Sequence, residues 1–200
     1  TMSDRGRALI HCFAGCQFAD VLAALGIDER RNRGMSQHRQ RPHVTRIVTS
    51  TSRANPKLDS AAAAFQRELR PGSLGYLASD LGVSTTSLTS LGVGWSAEAQ
   101  AWAFPMRDST EQIVGFRLRR PDGGKYTTPG THEGLFIPEG TRSNELIFVA
   151  EGPTDTATLL DLGMNAIGRP SCSGGMKLVV QLVRRLCSHE VVIVADNDEP

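Results

Sequence analysis

Cysteine is scarce in this chain. Its 200 residues include four, and only Cys12 and Cys16 lie close together. That excludes the disulfide framework that holds small secreted domains together. Long apolar runs are also missing, so no segment reaches the roughly 18 residues a membrane-spanning helix needs. With no secretory signal recognised, a cytoplasmic protein is expected. Neither sign of charge dominates: 22 basic residues face 21 acidic ones, for a net charge of +1. Ordinary apolar and charged fractions allow one or two globular domains. An initiating Met is lacking too. The chain begins at Thr1 and stops two residues after Asp198, so an excerpt of a longer protein is expected.

What is present centres on Glu145 to Asp198. The apolar run Leu146-Ile147-Phe148-Val149-Ala150 breaks into Glu151-Gly152-Pro153-Thr154-Asp155. A second run, Val191-Val192-Ile193-Val194-Ala195, breaks into Asp196-Asn197-Asp198. Short, β-branched and without alternation, both read as strands of a parallel sheet covered on both faces. Between them, Pro153 suits a helix's first turn. Leu159, Leu160 and Leu162 supply its apolar positions, and Gly163 stops it. Met164 to Ile167 is expected as a third strand. Val179, Leu182, Val183 and Leu186 share one face of a second helix, with Gln181, Arg184 and Arg185 turned elsewhere. The unit is βαβαβ, with right-handed crossovers.

Each run delivers an acid to its C-terminal end, where ligands bind in open parallel sheets. Glu151, Asp196 and Asp198 are expected to meet there. At ~5 Å, one like-charge pair costs about 3 kcal/mol at an effective dielectric of 20. Either one acid keeps a proton or a hard divalent cation sits among them. Asp-x-Asp with a remote Glu fits Mg²⁺, which takes oxygen ligands and keeps its waters. The alternative is a solvated acidic loop. Glu151-Gly-Pro-Thr-Asp155 after one strand and Asp196-Asn-Asp198 after another resemble the Toprim domain of primases, topoisomerases and some nucleases, over about 55 residues. The resemblance implies that Glu151 serves as general acid/base or metal ligand, and that Asp196 and Asp198 hold Mg²⁺ (or Mn²⁺). Asp155, one turn beyond Glu151, reads as structural, bonding first-turn amides.

Toward the N-terminus, residues 8 to 27 read as a strand, a knuckle and an amphipathic helix ended by Gly26. Cys12 and Cys16, with His11 beside them, have the residue types for half of a tetrahedral Zn²⁺ site. Two loose or buried thiols fit the same spacing. The stretch resembles the end of the zinc-ribbon that precedes the core of bacterial and phage primases. The family's upstream Cys/His pair is absent, so Zn²⁺ is expected in the full-length parent rather than here. Residues 28 to 57 carry Arg30, Arg31, Arg33, Arg39, Arg41, Arg46, Arg53 and Lys57 with no apolar periodicity. They read as a basic flexible linker, either a solvated spacer or a tether for a nucleic-acid backbone.

Order is expected from Leu58, with Asp59 capping a helix to Leu69, a second helix from Ser73 to Leu81 and a third from Ser84 to Leu91. Strands follow from Gly94 to Pro138: Trp102 to Met106, Gln112 to Arg119, then Lys125-Tyr126-Thr127. Arg117 and Arg119, two apart, share one face, with Arg120 opposite. Lys125 and Tyr126, returning across a hairpin, are expected to join them. Arg, Arg, Lys and Tyr suit gripping triphosphate oxygens and stacking a base. The alternative is a solvated sheet face.

Trp102-Ala-Phe-Pro-Met-Arg-Asp108, Ile113-Val-Gly-Phe-Arg-Leu-Arg119, Lys125-Tyr-Thr127 and Gly134-Leu-Phe136 are similar to the basic subdomain of bacterial-type primases. That likeness implies that Arg117, Arg119, Lys125 and Tyr126 face the catalytic groove. The expected organisation is a zinc-ribbon remnant (1–27), linker (28–57), helical lead-in with basic subdomain (58–140) and truncated Toprim domain (141–200). The expected fold class is α/β, a mixed basic subdomain followed by a parallel βαβαβ sheet. The expected activity is Mg²⁺-dependent synthesis of RNA primers from ribonucleoside triphosphates on a single-stranded DNA template. The expected parent is a mobile-element or phage-like primase, with a replicative helicase, fused or separate, as a further partner. Two alternatives stay open: a Toprim-type nuclease, and a non-catalytic nucleic-acid-binding module.

Overall fold

Asn55-Pro56 starts the first helix. In the computed structural model, which describes residues 55–195, α1 (Pro56–Arg67) is capped by Asn55, whose Oδ1 accepts the Lys57 N–H at 3.2 Å. Pro56 occupies the first turn, where no N–H is needed. Asp59, expected as the cap, lies instead in that first turn, where the helix dipole favours an acid. Pro56 and Lys57 thus belong to the helix and not to the linker. α2 (Ser73–Leu81) ends at Gly82, whose φ of 67° takes the left-handed conformation. α3 (Thr85–Ser90) is capped by the Ser84 hydroxyl, which accepts the Ser87 N–H at 3.1 Å.

Strands β1 (Gly94–Ser96), β2 (Ala101–Arg107), β3 (Ile113–Arg119) and β4 (Lys125–Thr127) form an antiparallel sheet in sequential order. Alternation gives it two apolar faces. Ala103, Phe116 and Leu118 pack against Ala62 and Phe65 of α1, with Phe65 edge-on to Phe116. Trp102, Phe104 and Met106 pack against Leu77 of α2 and Leu88 of α3.

The expected βαβαβ unit is present. β5 (Ile147–Glu151), α4 (Gly152–Asp161), β6 (Ala166–Arg169), α5 (Met176–Arg185) and β7 (Val191–Ile193) make a parallel sheet in the order β6-β5-β7. Ile147, Val149 and Ile167 face Val179, Leu182 and Leu186 of α5, while Gly168 faces α4.

Three details differ from expectation. β6 spans 166–169 rather than 164–167, because buried Asn165 is held by distant chain: its Oδ1 accepts the Arg142 N–H at 2.9 Å and its Nδ2 donates to the Arg142 carbonyl at 3.0 Å. In α4 the buried positions are Thr156 and Ala157, and Leu162, just past the helix, is 67% exposed. β7, expected to be covered on both faces, lies at the sheet edge with Val191, Val192 and Ile193 exposed.

Leu135 and Phe136 join the two sheets. Leu135 exchanges both backbone hydrogen bonds with Arg107, each 2.7 Å, and Phe136 exchanges both with Gly168, each 2.9 Å. A Cβ at Gly168 would run into Thr156 Oγ1 and lie 2.7 Å from the Gly152 carbonyl oxygen and 3.1 Å from the Phe136 ring. Gly168→Ala is therefore expected to destabilise by about 1–3 kcal/mol, as overpacking does. Urea unfolding tests this, and an unchanged midpoint would show that α4 has room to move.

A second tie links the lead-in helices to α4. Asp161 accepts the Ser84 N–H at 2.7 Å, the Ser84 hydroxyl at 2.5 Å and the Ser87 hydroxyl. Burial pushes its carboxyl up, but these hydroxyl and amide donors outweigh burial and hold it below the usual range. A depressed folded value means the stabilisation is complete above the unfolded aspartate pKa of about 3.9 and is lost as pH falls through the folded value. Asp161→Asn is expected to lower Tm at neutral pH, with the difference closing on acidification below that range. A gap that stays constant down to the most acidic pH would mean the charge contributes nothing.

Candidate active site

The central strand β5 delivers Glu151 to its C-terminal end. The chain is extended there (φ −97°, ψ 109°), then turns at Gly152, whose φ of +85° suits only glycine comfortably. Glu151 is half-buried and its side chain makes no capping bond to α4. Asp155 sits in the helix's first turn, where the sequence places it.

β6, shifted by two residues relative to expectation, delivers Arg169 to the same edge. Arg169 is the register partner of Glu151, and alternation puts both on the face of Val149 and Ile167. Arg169 is buried, at 6% exposure. Its Nη1 donates to the Cys172 carbonyl at 2.8 Å, while its buried Nε has no hydrogen-bond partner. From the other sheet, Arg117 Nη2 donates to the Pro170 carbonyl at 3.0 Å, and its Nε is likewise buried and unpartnered. Two guanidinium groups thus pin one loop, residues 170–172, beside Glu151. A desolvated cation is costly unless a negative group shares its surroundings, so this edge suits anionic ligands.

The sequence-predicted residues are brought together in part. Arg119 and Lys125 are register partners, and Arg117 lies on the same face two residues away. Arg119 reaches Asp80 of α2 at 3.5 Å, and Lys125 is exposed. Tyr126 is a correction. It pairs with Leu118 on the opposite face and packs against that apolar cluster, with the Arg120 guanidinium 5.2 Å over its ring. Adjacent strand residues point to opposite faces, so Tyr126 cannot share the face of Lys125. Cys12, Cys16, Asp196 and Asp198 lie outside the described residues. Arg169 is the functional candidate that the sequence reading missed. Its signal is the order Gly168-Arg169-Pro170: the residue before a proline is held extended, and the proline has no N–H with which to continue the ladder.

Comparison with known proteins follows the same lines. No family model and no curated protein matches the chain. Solved structures do. A DnaG primase catalytic domain bound to ssDNA matches with a TM-score of 0.54 at 18% identity, covering 71% of this chain and 60% of that one. The RNA polymerase domain of Mycobacterium tuberculosis primase DnaG matches with a TM-score of 0.54 at 18% identity, covering 72% and 66%. An Aquifex aeolicus primase structure with zinc-binding and RNA polymerase domains matches at 0.52 and 16% identity, covering 71% and 47%. The chain spans about 60% of the length of the first of these. The fold of the described residues is that of DnaG-type primase catalytic cores.

The two arginines are expected to act on the loop as a pair. Arg117→Met and Arg169→Met each leave it held from one side, so the double variant should depart from additivity by about 0.5–3 kcal/mol. Urea unfolding of the four proteins measures it. Additivity within about 0.5 kcal/mol would mean that each arginine acts alone.

Proposed function

We propose that this chain carries the catalytic core of a DNA primase, joining ribonucleotides on a single-stranded DNA template. One observation carries the reading: in a primase-core fold, Glu151 stands at the end of the central strand beside buried Arg169, with half-buried Arg117 bonded to the loop that follows. Arg117, Arg119 and Lys125 are the proposed grip on the triphosphate and template backbone, as bidentate or point-charge donors. Arg169 is added to that set. Tyr126 is left out of it, because it lies on the other face.

Glu151 offers the hard oxygens Mg²⁺ prefers, unspent on the helix cap, so its chemistry fits the ion. Among the described residues no group of three or more His, Cys, Asp or Glu gathers to hold a metal. Asp196 and Asp198 are the proposed further ligands. When bound, the ion would offset phosphate charge and lower the pKa of the attacking hydroxyl. Arg169 beside Glu151 favours a ligand that brings phosphates with it. In the reaction, Glu151 accepts the proton of the 3′-hydroxyl or completes the ion's shell, while the arginines orient the leaving pyrophosphate. Zn²⁺ at Cys12 and Cys16 is proposed only for a longer parent, within the four-part organisation expected from the sequence, and a helicase remains a proposed partner.

Glu151→Gln keeps shape and removes the charge. In the complete parent protein, primer synthesis is expected to fall by about 10²-fold or more, the range of a lost general acid or base. Labelled-nucleotide extension on a single-stranded template, resolved on a gel, reads this. Retained synthesis would make Glu151 structural, and strand cleavage in place of synthesis by the wild type would identify a nuclease.

A further inference from the structure

Helix α5 begins with no side-chain cap. Its N-cap is Gly175, and no side chain accepts a bond from its first turn. Val179 is the first of its residues whose N–H reaches a backbone acceptor, the Gly175 carbonyl at 3.0 Å. The N–H groups of Met176, Lys177 and Leu178 therefore stand at the open end of the helix, where the dipole is positive. That turn holds no acid, and exposed Lys177 adds a cation to it. β6 leads into α5 through residues 170–175, so the open turn lies at the C-terminal end of the parallel sheet, the end that carries Glu151.

A second observation points to the same place. Arg169, the last residue of β6, is buried at 6% exposure, and its hydrogen bond among the described residues uses Nη1, on the Cys172 carbonyl. Its Nε is buried without a partner. Nε and one terminal nitrogen make the fork with which a guanidinium grips two oxygens of one oxyanion side by side. The loop folds tightly onto the helix start: a Cβ at Gly175 would lie 2.7 Å from Pro170 Cδ, and one at Gly174 would lie 3.1 Å from Pro170 Cγ. Pro170 thus sets the end of β6 against the N-cap of α5, and Arg169, bonded to Cys172 midway along the loop, turns its guanidinium into the space between them. The Ser171 hydroxyl accepts the Gly174 N–H at 2.9 Å, and a hydroxyl that accepts can still donate. Exposed Glu133 borders the same loop, its Oε2 3.2 Å from where a Gly174 Cβ would stand.

We propose that this loop and the first turn of α5 form a diphosphate subsite, which holds the β- and γ-phosphates of an incoming nucleotide and then the pyrophosphate it releases. The open amides and Lys177 take one phosphate, and the Arg169 fork takes its neighbour. This rests on the primase reading and deepens it, giving the leaving group a place on the parallel sheet, apart from the cations of the antiparallel one. When the 3′-oxygen bonds to the α-phosphorus, the bond from that phosphorus to the α,β-bridging oxygen breaks. Its electron pair stays on the bridging oxygen, and the 3′-hydroxyl proton passes to Glu151. Negative charge therefore grows on the group that the amides and the fork already hold. Glu133 works against an anion at this loop and serves as the internal control.

The test is calorimetric titration of the 200-residue chain with inorganic pyrophosphate, inorganic phosphate and sulfate at one ionic strength, with and without Mg²⁺. Pyrophosphate is expected to bind, and to be displaced by a nucleoside triphosphate but not by the monophosphate, which has no β- or γ-phosphate. Arg169→Lys keeps the charge and loses the fork, so it should weaken pyrophosphate about 10- to 100-fold, the range of one charge-assisted hydrogen bond. Lys177→Glu probes the same site from the surface. An acid in the first turn favours the helix, so Tm should hold or rise while pyrophosphate weakens about 2- to 30-fold, the effect of two exposed charge contacts. Glu133→Gln should tighten it about 1.5- to 5-fold, the effect of one. Wild-type affinity in both Arg169→Lys and Lys177→Glu would overturn the subsite, while primer synthesis by the parent protein tests the primase reading separately. Sulfate or phosphate binding as tightly as pyrophosphate would reduce the site to an adventitious ion only, and displacement by the monophosphate would overturn its choice of a diphosphate. No pyrophosphate binding under either condition would overturn the proposal outright.

Discussion

Everything at the candidate active site depends on one small constraint, the double hydrogen bond between Phe136 and Gly168. It requires that Gly168 lack a side chain, since Thr156, the Gly152 carbonyl and the Phe136 ring surround the place where a Cβ would stand. With that approach allowed, α4 lies close on β6, and the segment from Leu135 bonds to both sheets within two residues. A joint of four backbone hydrogen bonds has little freedom to slide. It therefore sets β6 against β2, and through the register of β2 and β3 it sets Arg169 and Pro170 against Arg117. Glu151 of the parallel sheet and Arg117 of the antiparallel sheet are thus positioned by packing and by the loop after β6.

The electrostatics of that edge follow from burial. Arg117 and Arg169 each spend one terminal nitrogen on a loop carbonyl and leave Nε unpartnered. An unmade bond to a buried donor costs on the order of 1–3 kcal/mol, so the folded chain carries an unpaid cost that an anion at this edge would relieve in part. Glu151 is the register partner of Arg169 and forms no ion pair with it.

Much of this was legible in the sequence, for identifiable reasons. The two apolar runs, unbroken by polar residues, read as strands, though the second lies exposed at the sheet edge, and Pro153 and Gly163 mark helix ends through backbone geometry that needs no tertiary partner. What escaped depends on contacts distant in sequence. The frame of β6 is decided by Asn165 bonding to residue 142, which local pattern does not contain. The buried face of α4 is decided by the gap at Gly168, which selects Thr156 and Ala157 over the larger Leu162. Arg169 was hidden by the same two-residue shift. Tyr126 is different, because strict alternation from Lys125 already assigns it to the opposite face. The aromatic character of a stacking residue outweighed a geometric rule that needed no structure.

The two sheets divide the work according to their architecture. A parallel sheet gathers its strand ends at one edge, so it brings Glu151 and Arg169 together there. An antiparallel sheet presents rows across its strands, so it spreads contacts along a line. The row of register partners from Trp95 through Trp102 and Arg119 to Lys125 and the edge at Glu151 are therefore two kinds of surface. Arg117 belongs to both, since it lies on the face of that row and bonds to the loop after β6. This one residue therefore couples the antiparallel face to the loop that follows β6 beside Glu151.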